Sequence, residues 1–85
     1  MIIIRTDDFE RAFARLPAEI RELCVIQLHR FSKDQSDPRL HIKKVRSLRD
    51  VFSLRITRRY RAFFYFQNNK TAIFFDIDHR KDIYR

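Results

Sequence analysis

The sequence predicts an α+β domain: an N-terminal strand, a helical hairpin and a three-stranded antiparallel meander, in the order βααβββ. Three observations predict it. The chain opens on a β-branched run, apolar residues then recur every three to four positions from Phe9 to Phe31, and after Val51 the period drops to two. With 85 residues there is room for one hydrophobic core, so residues 1–85 are read as a single domain. Hydrophobic residues make up 45% of the chain and nine of them are Phe, enough large side chains to fill such a core.

Ile2-Ile3-Ile4-Arg5 has the composition of a short strand. Thr6-Asp7-Asp8 supplies side-chain oxygens for a helix start, with Glu10 three residues after Asp7 in a capping-box relation. Phe9, Ala12, Phe13 and Leu16 form one helical stripe. Pro17 interrupts it and suits the first turn of a second helix, whose stripe of Ile20, Leu23, Cys24, Leu28 and Phe31 runs to about Lys33. The polar segment Asp34–Pro38 is a linker into the basic stretch His41–Arg46.

Phe52, Leu54 and Ile56 alternate with Ser53, Arg55 and Thr57, and two further strands follow over Tyr60–Phe66 and Thr71–Ile77. Asn tolerates positive φ, so Asn68-Asn69 is the expected hairpin turn. That turn places Phe64 opposite Ile73, Phe63 opposite Phe74 and Arg61 opposite Asp76. A three-residue loop at Arg58–Tyr60 places Leu54 opposite Phe64. The expected helix-facing side then carries Phe52, Leu54, Ile56, Ala62, Phe64, Phe66, Ile73, Phe75 and Ile77. Ser53, Arg55, Thr57, Arg61, Phe63, Tyr65, Phe74 and Asp76 make up the other side.

Charge is distributed unevenly. Residues 1–38 hold six Lys/Arg and seven Asp/Glu, a balance of −1, whereas residues 39–85 hold thirteen and four, a balance of +9. A one-sided field of that size is the footprint of a polyanion, nucleic acid above all, or of an acidic protein partner. The chain contains no Gly, which removes Gly-rich phosphate loops and most nucleotide-cofactor functions. Cys24 sits among Leu23, Val25 and Ile26 and reads as a buried structural thiol. No apolar run reaches membrane-spanning length and the opening Met-Ile-Ile-Ile is too short for a signal peptide, so a cytoplasmic location is expected.

RNA can be cut without metal when its 2′-hydroxyl attacks the adjacent phosphate, given a proton acceptor, a proton donor and cations. Arg55 and Arg61 project from adjacent strands onto one face and suit the cationic role, and equally read as ordinary Arg residues of a solvated sheet face. The closing segment Asp78–Arg85 adds His79, whose ordinary pKa lies near neutrality, Arg80 as a second cation, and Tyr84 as a hydroxyl or a stacking ring. By spacing alone, His79 is equally a strand-end contact of Asp76 or Asp78, and Tyr84 a cover for the core. Lys43, Lys44, Arg46, Arg49, Arg58, Arg59 and Lys81 are candidates for RNA phosphate contacts, and equally read as a solvated edge. His29 and His41 lack partners at metal-ligand spacing and are read as surface residues. No metal or cofactor is expected.

The element order and four segments resemble the RelE/ParE superfamily of bacterial toxins. The segments are Lys44-Val45-Arg46-Ser47-Leu48-Arg49-Asp50, Leu54-Arg55-Ile56, Tyr60-Arg61-Ala62-Phe63-Phe64-Tyr65 and Ile77-Asp78-His79-Arg80-Lys81-Asp82-Ile83-Tyr84. The resemblance implies a toxin that enters the ribosome and cleaves mRNA, held in check by a cognate antitoxin protein that wraps around it. It also implies that Arg55, Arg61 and Arg80 stabilise the scissile phosphate and that Tyr84 and His79 serve the proton transfers. Ser53 departs from the pattern, standing where RelE has a basic residue. Two rival readings follow from the same resemblance: a ParE-like poison of DNA gyrase that cuts nothing, and a non-toxic relative that only binds its antitoxin.

Overall fold

The structure is a computed structural model that describes residues 1–79; Arg80, Lys81 and Tyr84 lie outside the described residues. Strand β1 (Ile2–Arg5) leads into helices α1 (Asp7–Ala14) and α2 (Ala18–Lys33), then a 3-10 turn (Pro38–Leu40). Strands β2 (Lys43–Lys44), β3 (Phe52–Arg55), β4 (Tyr60–Asn68) and β5 (Thr71–His79) follow. The α+β order matches the expectation, but the sheet is larger than a three-stranded meander. It has five strands in the order β1-β5-β4-β3-β2. β1 runs parallel to β5, and the basic linker contributes Lys43-Lys44 as an antiparallel edge strand opposite Ser53 and Phe52.

Thr6 rather than Asp7 caps α1, its side chain accepting from Phe9 N at 3.1 Å. Glu10 is thereby released from a capping box and pairs with Arg5 at 2.6 Å, while the Arg5 guanidinium lies over the Phe9 and Phe13 rings. Pro17 is the N-cap of α2, and its carbonyl accepts from Ile20 N and Arg21 N. Both helices pack on one face of the sheet: Phe9 of α1 meets Phe74 edge-on at 5.9 Å, and Phe31 of α2 meets Phe64 and Phe74 at 5.0 and 5.3 Å.

The hairpin register differs from the expected one. The turn is Asn69-Lys70, with Asn68 opposite Thr71 and its side chain accepting from Lys70 N at 2.8 Å. Phe64 lies opposite Phe74, yet Phe63 lies opposite Asp76, so Phe75 is the extra residue of a bulge. The physical reason is the aromatic core. This register stacks Phe64 on Phe74 at 4.8 Å, with both rings fully buried, whereas the expected one turned Phe74 outward. Ile73 and Phe75 move to the outer face, where Phe75 packs on Phe63 and Tyr65. The bulge restores Ile77 to the core, three residues from Phe74. On the other side, the loop is three residues as expected but falls at Thr57–Arg59. The pairing shifts by two, Leu54 meeting Ala62, and a shift of two leaves both faces unchanged.

Cys24 is fully buried, and burial pushes its thiol up to about 11, with Arg5 opposing weakly. The stabilisation gained by keeping the thiol neutral is present below pH 9 and is lost as pH rises toward 11. Alkylation of Cys24 by iodoacetamide at pH 8 should therefore run about 100-fold slower in the native protein than in denaturant. Urea unfolding checks the register: Phe74→Ala should cost about 3–5 kcal/mol and Phe75→Ala, half-buried on the outer face, clearly less. Equal losses would contradict the bulge.

Candidate anion site on the outer sheet face

The sheet has a helix-covered face and an outer face, and the strand pairings decide which side chains share each. Arg55 lies directly opposite Arg61, and Ser53 lies between Lys43 and Phe63, so Lys43, Ser53, Arg55, Arg61 and Phe63 point outward together. Two guanidinium groups on adjacent strands repel unless an anion sits between or beside them.

The two arginines are held differently. Arg61 is 3% exposed; its Nε donates to Ser53 Oγ at 2.8 Å and its Nη2 to the carbonyl of His41 at 2.6 Å. His41 carries a left-handed backbone, φ 47°, closing the 3-10 turn where the sequence offers no Gly. Arg61 thus ties the β2 approach to the middle of the sheet, and Ser53 is the acceptor that receives it. Arg55 is half-buried, and its carbonyl accepts from Gln27 Nε2 at 2.6 Å, so its backbone is anchored while its charge has no carboxylate within 4.0 Å among the described residues. Lys43, Lys44, Arg46, Arg49, Arg58 and Arg59 are exposed and equally without such a carboxylate among the described residues. Lys44, opposite Phe52, points to the helix side of the edge, and Arg58 and Arg59 occupy the β3–β4 loop.

His79 is not brought to this group. It pairs with Tyr60, and the rings meet edge-on at 5.2 Å on the helix-covered side, at the mouth of a cleft between the end of α1 and β5. Its Nδ1 is buried without a hydrogen-bond partner among the described residues. Asp78, not Asp76, faces Arg61. Asp76 lies at the same cleft, and burial raises its carboxyl above the usual range against a hydrogen bond from Ile77 N. The described residues contain no cluster of three or more His, Cys, Asp or Glu able to hold a metal, and no helix among them is long and apolar enough to cross a membrane.

No protein-family model matches the chain. No curated protein matches it by sequence. Solved structures do. A chain of the RelB–RelE antitoxin–toxin complex from Methanococcus jannaschii superposes with a TM-score of 0.76 and 25% identity, covering 95% of this chain and 94% of that one. The chain has the RelE toxin fold. The archaeal RelE–RelB complex from Pyrococcus horikoshii gives a TM-score of 0.75 at 12% identity, covering 93% of each chain. The YoeB/ParE toxin from Agrobacterium tumefaciens gives 0.71 at 15%, covering 93% of this chain and 98% of that one. At such identities these two matches bear on the fold alone.

Within this RelE-like fold, sequence reasoning missed Gln27. It is 5% exposed and bridges the carbonyls of Arg39 and Arg55, while its own oxygen accepts from Arg30. A polar residue on the apolar stripe between Cys24 and Phe31 was the available signal. The differing anchorage of the two arginines has measurable consequences. Arg61→Ala should lower stability by about 1–3 kcal/mol, since it strands the His41 carbonyl and Ser53 hydroxyl. Arg55→Ala should stay within about 0.5 kcal/mol of wild type. Denaturant titration of both variants checks this, and an Arg61→Ala protein as stable as wild type would remove Arg61 from its clamping role.

Proposed function

We propose that the protein is the toxin of a toxin–antitoxin pair that binds mRNA on the ribosome through its outer sheet face and cleaves it by metal-free attack of the 2′-hydroxyl. The observation that carries this reading is the near full-length match to a chain of an antitoxin–toxin complex, combined with an outer face on which Lys43 and Arg55 have no carboxylate within 4.0 Å among the described residues. Arg55, fixed by Gln27 and backed by Arg61, is the group to hold the scissile phosphate, and Lys43, Arg46, Arg49, Arg58 and Arg59 follow the flanking backbone. Breaking the P–O5′ bond yields a 2′,3′-cyclic phosphate and a 5′-hydroxyl. Charge placed in advance around the pentacovalent phosphorane is the main catalytic contribution of such a face. Arg80, Lys81 and Tyr84 complete the proposed site, with Tyr84 as a proton-transfer or stacking group. The partners are a RelB-like antitoxin and the ribosome, in the cytoplasm.

The placement of His79 favours a second reading. An imidazole packed on Tyr60, across the sheet from Arg55, is badly placed for proton transfer at a phosphate on the outer face. This is what a toxin that binds without cutting, such as a gyrase poison, or a non-toxic antitoxin-binding relative, would tolerate.

Pulse labelling after induction separates these readings. A ribonuclease stops incorporation of amino acids first, a gyrase poison stops DNA synthesis first, and the antitoxin-binding relative stops neither. In a ribosome-dependent cleavage assay, Arg55→Ala should lower the rate about 100-fold. His79→Gln should lower it far less if His79 is a packing residue. Unaltered cleavage by Arg55→Ala would remove that residue from the site.

A further inference from the structure

The outer side of α2 carries large apolar residues that nothing among the described residues covers. Leu23 is 41% exposed, Val25 50% and Ile26 45%, on a helix of 16 residues whose opposite side is fully engaged in the core. Their charged neighbours are ordered along the helix. Glu19 and Glu22 precede the apolar centre on the same side, and Arg30 and Lys33 follow it. At 3.6 residues per turn, residues 19, 22, 26, 30 and 33 form one stripe with Ile26 at its midpoint.

From this arrangement we propose that α2 is a self-complementary surface through which two copies of the chain associate, antiparallel, about a two-fold axis at Ile26. An isologous contact requires residue i to meet residue j and j to meet i. With Ile26 on the axis, Glu19 faces Lys33 and Glu22 comes beside Arg30, and each pairing occurs twice. Every acidic residue of the stripe then meets a basic one. A parallel arrangement would instead set like charges side by side. The face also lies in the half of the sequence whose charge balance is near zero, so the strong positive charge of residues 39–85 opposes the approach little. Because α2 covers the side of the sheet opposite Arg55, association leaves the outer face open, and the proposal stands whether or not that face cleaves RNA.

A single helix pair buries less than the roughly 800 Å² per partner of a standard interface, so the association is weak, with a Kd of about 10–100 μM. Sedimentation equilibrium of the full chain, free of any partner, should show a monomer–dimer equilibrium in that range, weakening as salt rises. Ile26→Glu, which sets two carboxylates on the axis, should raise the Kd at least about tenfold with an unchanged melting curve. Glu19→Lys and Lys33→Glu should each weaken the dimer, and the double variant should return it to within about twofold of wild type. Three results would overturn the proposal: a wild-type chain that stays monomeric throughout, an Ile26→Glu variant that still dimerises, or a charge swap that fails to restore association. A monomeric chain whose Ile26→Glu variant loses binding to a co-expressed antitoxin would assign the face to that partner instead.

Discussion

The stacking of Phe64 on Phe74 is the constraint from which the rest of the architecture follows. These rings are the middle of the core, touched by Phe31 from α2 and, on Phe74, by Phe9 from α1. From the Asn68–Thr71 pair at the turn, an extra residue in β4 at Gln67 brings Phe64 opposite Phe74, and Phe75 is the extra residue of β5 just beyond that pair. The bulge sets which residues of β5 face the helices on each side of it. Tyr60 and His79, the terminal pair, are consequently inside, and Arg61 and Asp78 outside. A packing requirement in the centre of the sheet therefore decides the position of an ionisable group at its end.

A second consequence concerns how charge is handled in a chain without Gly. The segment from the 3-10 turn to β3 must reverse direction using His41 and Asp50 in left-handed conformations, each of which costs free energy for a residue with a Cβ. Arg61 offsets part of this by binding the His41 carbonyl from inside the sheet. Arg61, one of the cations the sequence offered for a phosphate, is therefore a structural clamp. Arg55 has the complementary character, with an anchored backbone and a charge that faces no carboxylate among the described residues. The pair gives a rigid inner arginine behind a responsive outer one, an arrangement suited to receiving an anion without reorganising the sheet.

The two sides of the molecule are thereby given different work. The outer sheet face collects cations from β2, β3 and β4, the charge on which the proposed RNA contact rests. The helix side is near neutral overall and its exposed stripe on α2 is ordered from acidic to basic, a pattern that speaks for protein contacts. Separation of the two by the thickness of one sheet allows both to be occupied at once.

The sequence by itself determined the order of strand, helical hairpin and meander, the helical stripes, the existence of a cationic half and the shared outward face of Arg55 and Arg61. Those follow from local periodicity and from strand alternation, which a two-residue shift in register leaves intact. It could not determine the position of the bulge, because that depends on which rings meet across the core, a choice made among several Phe residues of equal hydrophobicity. A one-residue difference was enough to exchange Phe74 with Ile73 and Phe75 between the faces. Nor could it show Gln27 reaching two carbonyls or Arg61 turning inward to Ser53 and His41, since each contact joins segments far apart in the chain. Tertiary structure alone decided those, because a buried polar group takes whichever partner the packing brings within hydrogen-bond reach.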